Sequence, residues 1–173
     1  MNTPVTWVIT VVGKDRPGLV DALSGWVAEA EGDWLDSHLT HIGDQFAGIL
    51  QVSTPASRAE DFKANLNAIS EETGLALECK QAQSVVGGGE IFVMTCMGQD
   101  RPGIVKALTD ILLEFQANVE SLNTTYQDAP MSGGQLFEAH FQVRLPAEVD
   151  FSRLEERLSS IGEELMLDVQ LQK

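Results

Sequence analysis

Two short segments of the chain carry the same residues in the same order, and they concentrate what chemistry it offers. Gly13-Lys14-Asp15-Arg16-Pro17-Gly18-Leu19-Val20 and Gly98-Gln99-Asp100-Arg101-Pro102-Gly103-Ile104-Val105 share the pattern Gly-x-Asp-Arg-Pro-Gly-[Leu/Ile]-Val. Proline suits the first position of a helix, where its missing N–H costs nothing, so each segment reads as a turn opening into a helix. The first backbone N–H groups beyond the proline, from Gly18 and Leu19 and from Gly103 and Ile104, lack a partner within the helix. They also sit at the positive end of its dipole, which favours a carboxylate by ~0.3–1 kcal/mol at an exposed site. Gly18 and Gly103 have no Cβ, so a ligand or another backbone can come close. Asp15 or Asp100 beside them can take an ammonium group. Carboxylate at the helix end and ammonium at the aspartate make a receptor for a zwitterion. The same residues admit a structural reading, with each Asp capping its helix or fixing the turn. Arg16 and Arg101 are then solvated or paired with acids.

Other chemistry finds little support. His38 and His41 are three apart on an expected strand and point to opposite faces, which is poor for a shared metal. His140 lies on a polar strand face between Glu138 and Gln142. Gly87-Gly88-Gly89 lacks the Lys-Ser/Thr of a phosphate loop. No Ser/His/Asp or Cys/His arrangement stands out, and nothing marks a general acid or base. Neither a metal nor a cofactor is expected.

Composition bounds the function classes. The chain has 173 residues, with 43% hydrophobic and 21% charged, ordinary globular usage that excludes disordered and fibrous classes. Its net charge of −15 repels phosphate backbones and anionic lipids, so direct nucleic-acid or membrane binding is not expected. The apolar run Val5 to Val12 is far below the ~18 residues of a membrane helix. Nothing before Lys14 is basic, so a secretory segment is not expected either. Cys79 and Cys96 form no C-x-x-C and read as reduced core thiols of a cytoplasmic protein.

The elements that position the two turns form an internal repeat with a spacing of 85 residues. Val8 to Val20 lies over Val93 to Val105, and the match continues through Ala22-Leu23 over Ala107-Leu108. Six extra residues enter the second copy within Tyr126 to Gly134, after which Gln51-Val52 falls on Gln142-Val143 and Pro55 on Pro146. Each copy reads as strand, helix, strand, strand, helix, strand. Thr6–Val12 and Ile91–Met97 are β-branched-rich strands ending at a glycine. Helical periodicity follows at Leu19, Val20, Leu23, Trp26, Val27 and Ala30, matched by Ile104, Val105, Leu108, Ile111, Leu112 and Phe115. Short strands come next, near Trp34–His41 and Val119–Tyr126. Phe137, Ala139, Phe141, Val143 and Leu145 alternate with Glu138, His140, Gln142 and Arg144, one buried and one polar face. A second helix (Phe62, Leu66, Ile69; Phe151, Leu154, Leu158, Ile161) and a last strand close each copy.

The expected fold is α+β: two tandem ferredoxin-like βαββαβ modules with antiparallel sheets. Their expected limits are 1–83 and 90–173, with 84–89 as a linker. The first strands are apolar on both faces, Trp7, Ile9 and Val11 one way and Val8 and Val12 the other. The modules are therefore expected to pack on each other, or the chain to form a homodimer. Met131, among small residues in the inserted segment, is a candidate contact for a protein partner, a tolerated insertion being the alternative.

The repeated Asp-Arg-Pro-Gly segment, ending a strand and opening a helix within βαββαβ, resembles the ACT domain, a small-molecule sensing module. The whole chain, as two such domains, resembles the glycine cleavage system transcriptional repressor family. The resemblance implies a regulator that responds to a small amino acid, glycine being favoured. It also implies contact with a DNA-binding transcriptional activator rather than with DNA. In that family the turn before Arg-Pro-Gly and a residue at the start of the second strand touch the ligand. Carried over, these are Asp15 and Asp100 in the turns and Asp33 and Asn118 in the following segments; Asn118 has the typical residue type and Asp33 departs from it. Two other functions compete. One is a ligand-free protein–protein adaptor. The other is a small hydrolase of the same fold, with Arg16 or Arg101 cradling an anion, although the neighbouring Asp opposes a bound phosphate. An RNA-recognition module would need exposed aromatics, and Phe137 and Phe141 face inward.

Overall fold

The computed structural model describes residues 3–83, 88–128 and 135–173. Two compact units divide the chain, Met1–Val85 and Val86–Lys173. Residues 84–87 of the expected linker and residues 129–134 of the inserted segment, Met131 among them, lie outside the described residues.

Unit 1 runs β1 (Val5–Lys14), α1 (Leu19–Glu29), β2 (Asp33–Ile42), β3 (Gln45–Thr54), a 3-10 turn (Ala56–Arg58), α2 (Ala59–Ala64), α3 (Leu66–Thr73) and β4 (Ala76–Gln81). Unit 2 runs β5 (Glu90–Gln99), α4 (Ile104–Glu114), β6 (Asn118–Asp128), β7 (Gln135–Leu145), α5 (Phe151–Leu165) and β8 (Leu167–Gln172). Each sheet is antiparallel, in the order β2-β3-β1-β4 and β6-β7-β5-β8. This is the α+β ferredoxin-like arrangement, built twice.

Alternation explains the strands. Trp7, Ile9 and Val11 on β1 and Leu50 and Val52 on β3 are buried with Leu19, Leu23, Trp26 and Val27 of α1 and Phe62 of α2. Phe92, Met94 and Cys96 on β5 and Ala139, Phe141 and Val143 on β7 are buried with Ile104, Leu108, Ile111 and Leu112 of α4 and Leu154 and Leu158 of α5. One helical position departs from the expected stripe: Val20 is 48% exposed, because the buried arc of α1 centres on Leu19, Leu23, Trp26 and Val27.

The cores differ in filling. In unit 1, Trp26 stacks on Phe62 at 4.2 Å and 5°, and Trp7 lies 6.0 Å from Phe62. The Trp7 indole N–H donates to the Thr54 hydroxyl at 2.9 Å inside that core. Ile111 takes the α4 position matching Trp26, and Leu154 occupies the place of Phe62. The second helix of unit 1 is also interrupted, at Asn65 between α2 and α3. Asn65 keeps right-handed angles there, φ −79° and ψ −5°, and its side chain does not cap α3. The counterpart in unit 2 is one helix, α5, capped by Asp150, whose carboxylate accepts from the Arg153 N–H at 3.1 Å.

Candidate functional site

β1 leads into the turn Arg16-Pro17-Gly18-Leu19, in which Gly18 has φ 90° and ψ 0°. Gly103 repeats this with φ 93° and ψ 1°. Proline followed by a residue of positive φ is the signature of a type II turn. The helices therefore begin at Leu19 and Ile104, and Pro17 and Pro102 stand ahead of the N-cap instead of at the first helical position. The turn, not the helix, sets the place of the proline. A Cβ built on Gly18 or Gly103 meets nothing within 4 Å. Their backbone angle, rather than crowding, is what calls for glycine, and the space beside them is open.

At each turn the sequence candidates come together. Asp15, Gly18 and the Leu19 N–H lie at one end of the unit 1 sheet; Asp100, Gly103 and the Ile104 N–H lie at the same end of unit 2. The Leu19 and Ile104 side chains are core residues, so only their backbone is available to a ligand. Neither helix carries a side-chain cap, so the capping alternative for the aspartates does not hold. Asp15 and Asp100 instead tie the turn down through their own N–H groups, which donate to Asp44 O at 2.8 Å and Gln135 O at 2.9 Å. Their carboxylates are exposed, and no side-chain hydrogen bond holds them among the described residues. The helix ends differ: α1 has Asp21 in its first turn, while α4 has no acid there. The α4 end is thus less neutralised and the better carboxylate acceptor.

The arginines do something the sequence did not suggest. Arg16 donates through Nε to Thr73 O at 3.3 Å and through Nη2 to Glu72 O at 2.8 Å and Thr73 O at 3.2 Å. These are carbonyls at the C-terminal end of α3, the negative end of its dipole. Arg16 is exposed, but its guanidinium is held by backbone carbonyls rather than by an acid. Arg101 follows the same direction, with Nη2 3.8 Å from Sδ of Met166 just beyond α5. Each arginine ties the turn to the far end of the second helical segment, so the Arg16 guanidinium is not free to cradle an anion.

Asp33 and Asn118 are not part of these groups. Asp33 pairs with Ser53, which pairs with Thr6 near the start of β1, while Asp15 follows its end. Asn118 pairs with Arg144, which pairs with Ile91 near the start of β5, while Asp100 follows its end. Some nine strand residues at ~3.3 Å each separate the two positions, roughly 30 Å within one unit. Asn118 is also engaged: its Nδ2 donates to Oε1 of Glu120 at 2.9 Å, where Arg144 Nε donates as well at 2.9 Å. A bulge between Val119 and Ser121 inserts Glu120 at this place. The Asn118 amide and then Arg144 hold the Glu120 carboxyl below its ordinary pKa.

At the Asn118 end of unit 2 lie two clefts. One of about 640 Å³ is walled by Phe92, Leu145, Val149, Phe151 and Leu171. The other, of about 500 Å³, lies beside Phe115 and Arg153. The matching cleft of unit 1, about 240 Å³, is lined by Trp26, Arg58 and Phe62. Sequence reasoning missed it; the signal was a tryptophan where the second copy has isoleucine. Among the described residues there is no cluster of three His, Cys, Asp or Glu side chains suited to a metal, and no helix is long and apolar enough to cross a membrane.

Comparison with known proteins agrees with the duplicated fold. The ACT domain profile matches residues 6–80 and 90–172. A UPF0237 protein of Methanopyrus kandleri is 38% identical over 81 residues, covering 46% of this chain and 83% of that protein. The glycine cleavage system transcriptional repressor of Escherichia coli is 23% identical over 163 residues, covering 91% of this chain and 84% of the repressor. Among solved structures, an unknown protein from Galdieria sulphuraria superposes with a TM-score of 0.87 at 27% identity, covering 98% of each chain.

Proposed function

The chain belongs to the ACT domain family, in two tandem copies, and from that premise we propose that it is an amino-acid-responsive regulator rather than an enzyme. The finer reading is a repressor of the glycine cleavage system that acts through a DNA-binding activator protein. The duplicated turn carries this reading: open N–H groups at a helix start beside an exposed aspartate, twice, with no competing side-chain cap. Likeness to the Escherichia coli repressor along 91% of the chain supports the regulatory role. The net charge of −15 favours a protein partner over DNA.

In this reading the ligand carboxylate meets the N–H groups of Gly103 and Ile104, and its ammonium meets Asp100. The α4 end is preferred because no first-turn acid opposes the carboxylate. Gly18, Leu19 and Asp15 form the equivalent in unit 1, weakened by Asp21. Asp33 and Asn118 are left out of the ligand set of their own unit by distance. Glycine, with no side chain to accommodate, is the favoured ligand. Regulation is a population shift, which requires the ligand to bind the partner-competent state with a different affinity from the other state. The domains would be 1–83 and 90–173, the setting cytoplasmic, and Met131 a contact for the partner, with a homodimer as a further assembly.

A thermal-shift titration against the common amino acids tests this, with Asp100→Ala and Asn118→Ala beside the wild type. A ligand at ~100 times its Kd adds ~2.7 kcal/mol to the native state. Selective stabilisation by glycine, lost in Asp100→Ala and kept in Asn118→Ala, is the expected result. One observation favours a second reading: Asn118, the best match to a family ligand contact, is bonded to Glu120. No stabilisation by any amino acid at millimolar concentration would select this ligand-free adaptor.

A further inference from the structure

The helix layer of unit 1 contains a donor without an acceptor. Trp26 is 3% exposed, its indole Nε1 is shut off from solvent, and it has no hydrogen-bond partner. The other tryptophan of the same cluster, Trp7, has one in Thr54. Trp26 lines the cleft of about 240 Å³ between the end of α1 and the start of α2, and Arg58 lines it too. Arg58 Nε is likewise buried and forms no hydrogen bond. Glu31 Oε1 lies 3.2 Å from it, but not along the N–H direction needed for one. The remaining ties of Arg58 are loose: Asp61 at 3.8 Å and the Glu29 carbonyl at 3.3 Å.

The second copy shows that the fold needs neither donor. Ile111 stands at the position of Trp26 and is as deeply buried. Asp150 caps the helix where Arg58 precedes α2. Trp26 and Arg58 line the same small cleft, and each carries a buried donor without an acceptor. A carboxylate has the lone pairs for an indole N–H and a guanidinium together. Glu29, Asp61 and Asn65 on the rim supply acceptors for a cation. Their charge also disfavours a simple anion.

We propose that this cleft is a second binding site of the chain, for a small zwitterionic amino acid whose carboxylate takes the Trp26 indole N–H and the Arg58 guanidinium. Arg58 acts as a movable arm, since its ion pairs with exposed acids are weak and exchange readily for the ligand. The choice of ligand class rests on the amino-acid-responsive reading above; the site itself rests on the two donors. It is distinct from the turn at Asp15, being at the opposite end of the unit 1 sheet.

The indole N–H resonance of Trp26, assigned with Trp26→Phe, reports on the site directly. The full-length protein is titrated with glycine, acetate and methylammonium by heteronuclear NMR. Glycine should move that resonance saturably, with acetate at least tenfold weaker and methylammonium without effect, and Arg58→Gln should weaken glycine at least tenfold. A Trp26 resonance that stays put at millimolar glycine overturns the site. A thermal stabilisation that survives in that case leaves the regulatory reading standing, while its absence removes both. An equal response to acetate overturns the zwitterion class, and an unchanged response in Arg58→Gln overturns the role of the arm.

Discussion

Thr54→Val tests the core of unit 1 at a single hydrogen bond. The Thr54 hydroxyl is the acceptor for the buried Trp7 indole N–H at 2.9 Å, and the two side chains are 1% and 6% exposed. Valine has nearly the same shape, so little packing is lost, but the indole N–H is left without an acceptor. An orphaned buried donor costs ~1–3 kcal/mol, and the added buried methyl returns up to ~0.8 kcal/mol. The expected net loss is about 1–2 kcal/mol. In a Trp7→Phe background the donor is gone, and the same substitution should be close to neutral. The difference between the two backgrounds, about 1 kcal/mol or more, is the coupling energy that belongs to the bond. Urea denaturation of the wild type, both single variants and the double variant measures it. For a unit of this size ~1 kcal/mol corresponds to roughly 4–8 °C in Tm. An equal cost of Thr54→Val in both backgrounds refutes the reasoning, because Trp7 would then be finding its acceptor elsewhere.

Gly103→Ala should destabilise by about 1 kcal/mol, since a left-handed residue with a Cβ costs ~1–2 kcal/mol and the lost chain entropy of glycine returns part of it. A neutral result in urea denaturation would mean that the turn relaxes out of its type II form. Met166, at φ 56° after α5, occupies the place that Gly74 holds after α3, so Met166→Gly should raise the urea midpoint by an equivalent of about 0.5 kcal/mol. The Glu120 carboxyl binds its proton less tightly folded than unfolded. Its stabilising effect is therefore complete above the ordinary Glu pKa of ~4.3 and is lost as pH falls through the lower folded value. The gap in stability between wild type and Glu120→Gln should accordingly be present at pH 7 and close towards pH 2. Burial pushes the thiols of Cys79 and Cys96 up to about 11, so a thiol reagent at pH 8 should label the native protein slowly and the urea-unfolded chain at once.

Period and repeat made most of the fold legible. The alternation from Phe137 to Leu145 admitted only a strand with one buried face, and the matching of Val8–Val20 with Val93–Val105 required one architecture twice. The order of strands followed from these. The turn was harder, because proline satisfies both a first helical position and a type II turn at the same φ. Only the following glycine decides, through a positive φ that composition does not display. The separation of Asp15 from Asp33 was within reach of topology: β1 and β2 run in the same direction, so the end of one and the start of the other cannot meet. The roles of Arg16 and Trp26 were out of reach. Arg16 finds its acceptors at Glu72 and Thr73, far along the chain, and the orphaned N–H of Trp26 is visible only once every neighbour is in place.

The different fillings of the two cores bear on how a duplicated chain avoids folding into itself wrongly. Tandem copies with matching strands can exchange equivalent pieces during folding, a characteristic failure of repeat proteins. Here a swapped β5 would bring Phe92 to the place of Trp7, leaving the Thr54 hydroxyl buried without its donor and the Phe62 ring short of a neighbour. A swapped β1 would bring an indole N–H opposite Leu145, which offers no side-chain acceptor. Hybrid units are thus mispacked and unsatisfied in both directions, whereas each native unit closes on its own set. Divergence of the interior, with the exterior plan retained, lets two homologous halves share one polypeptide and still sort their strands correctly.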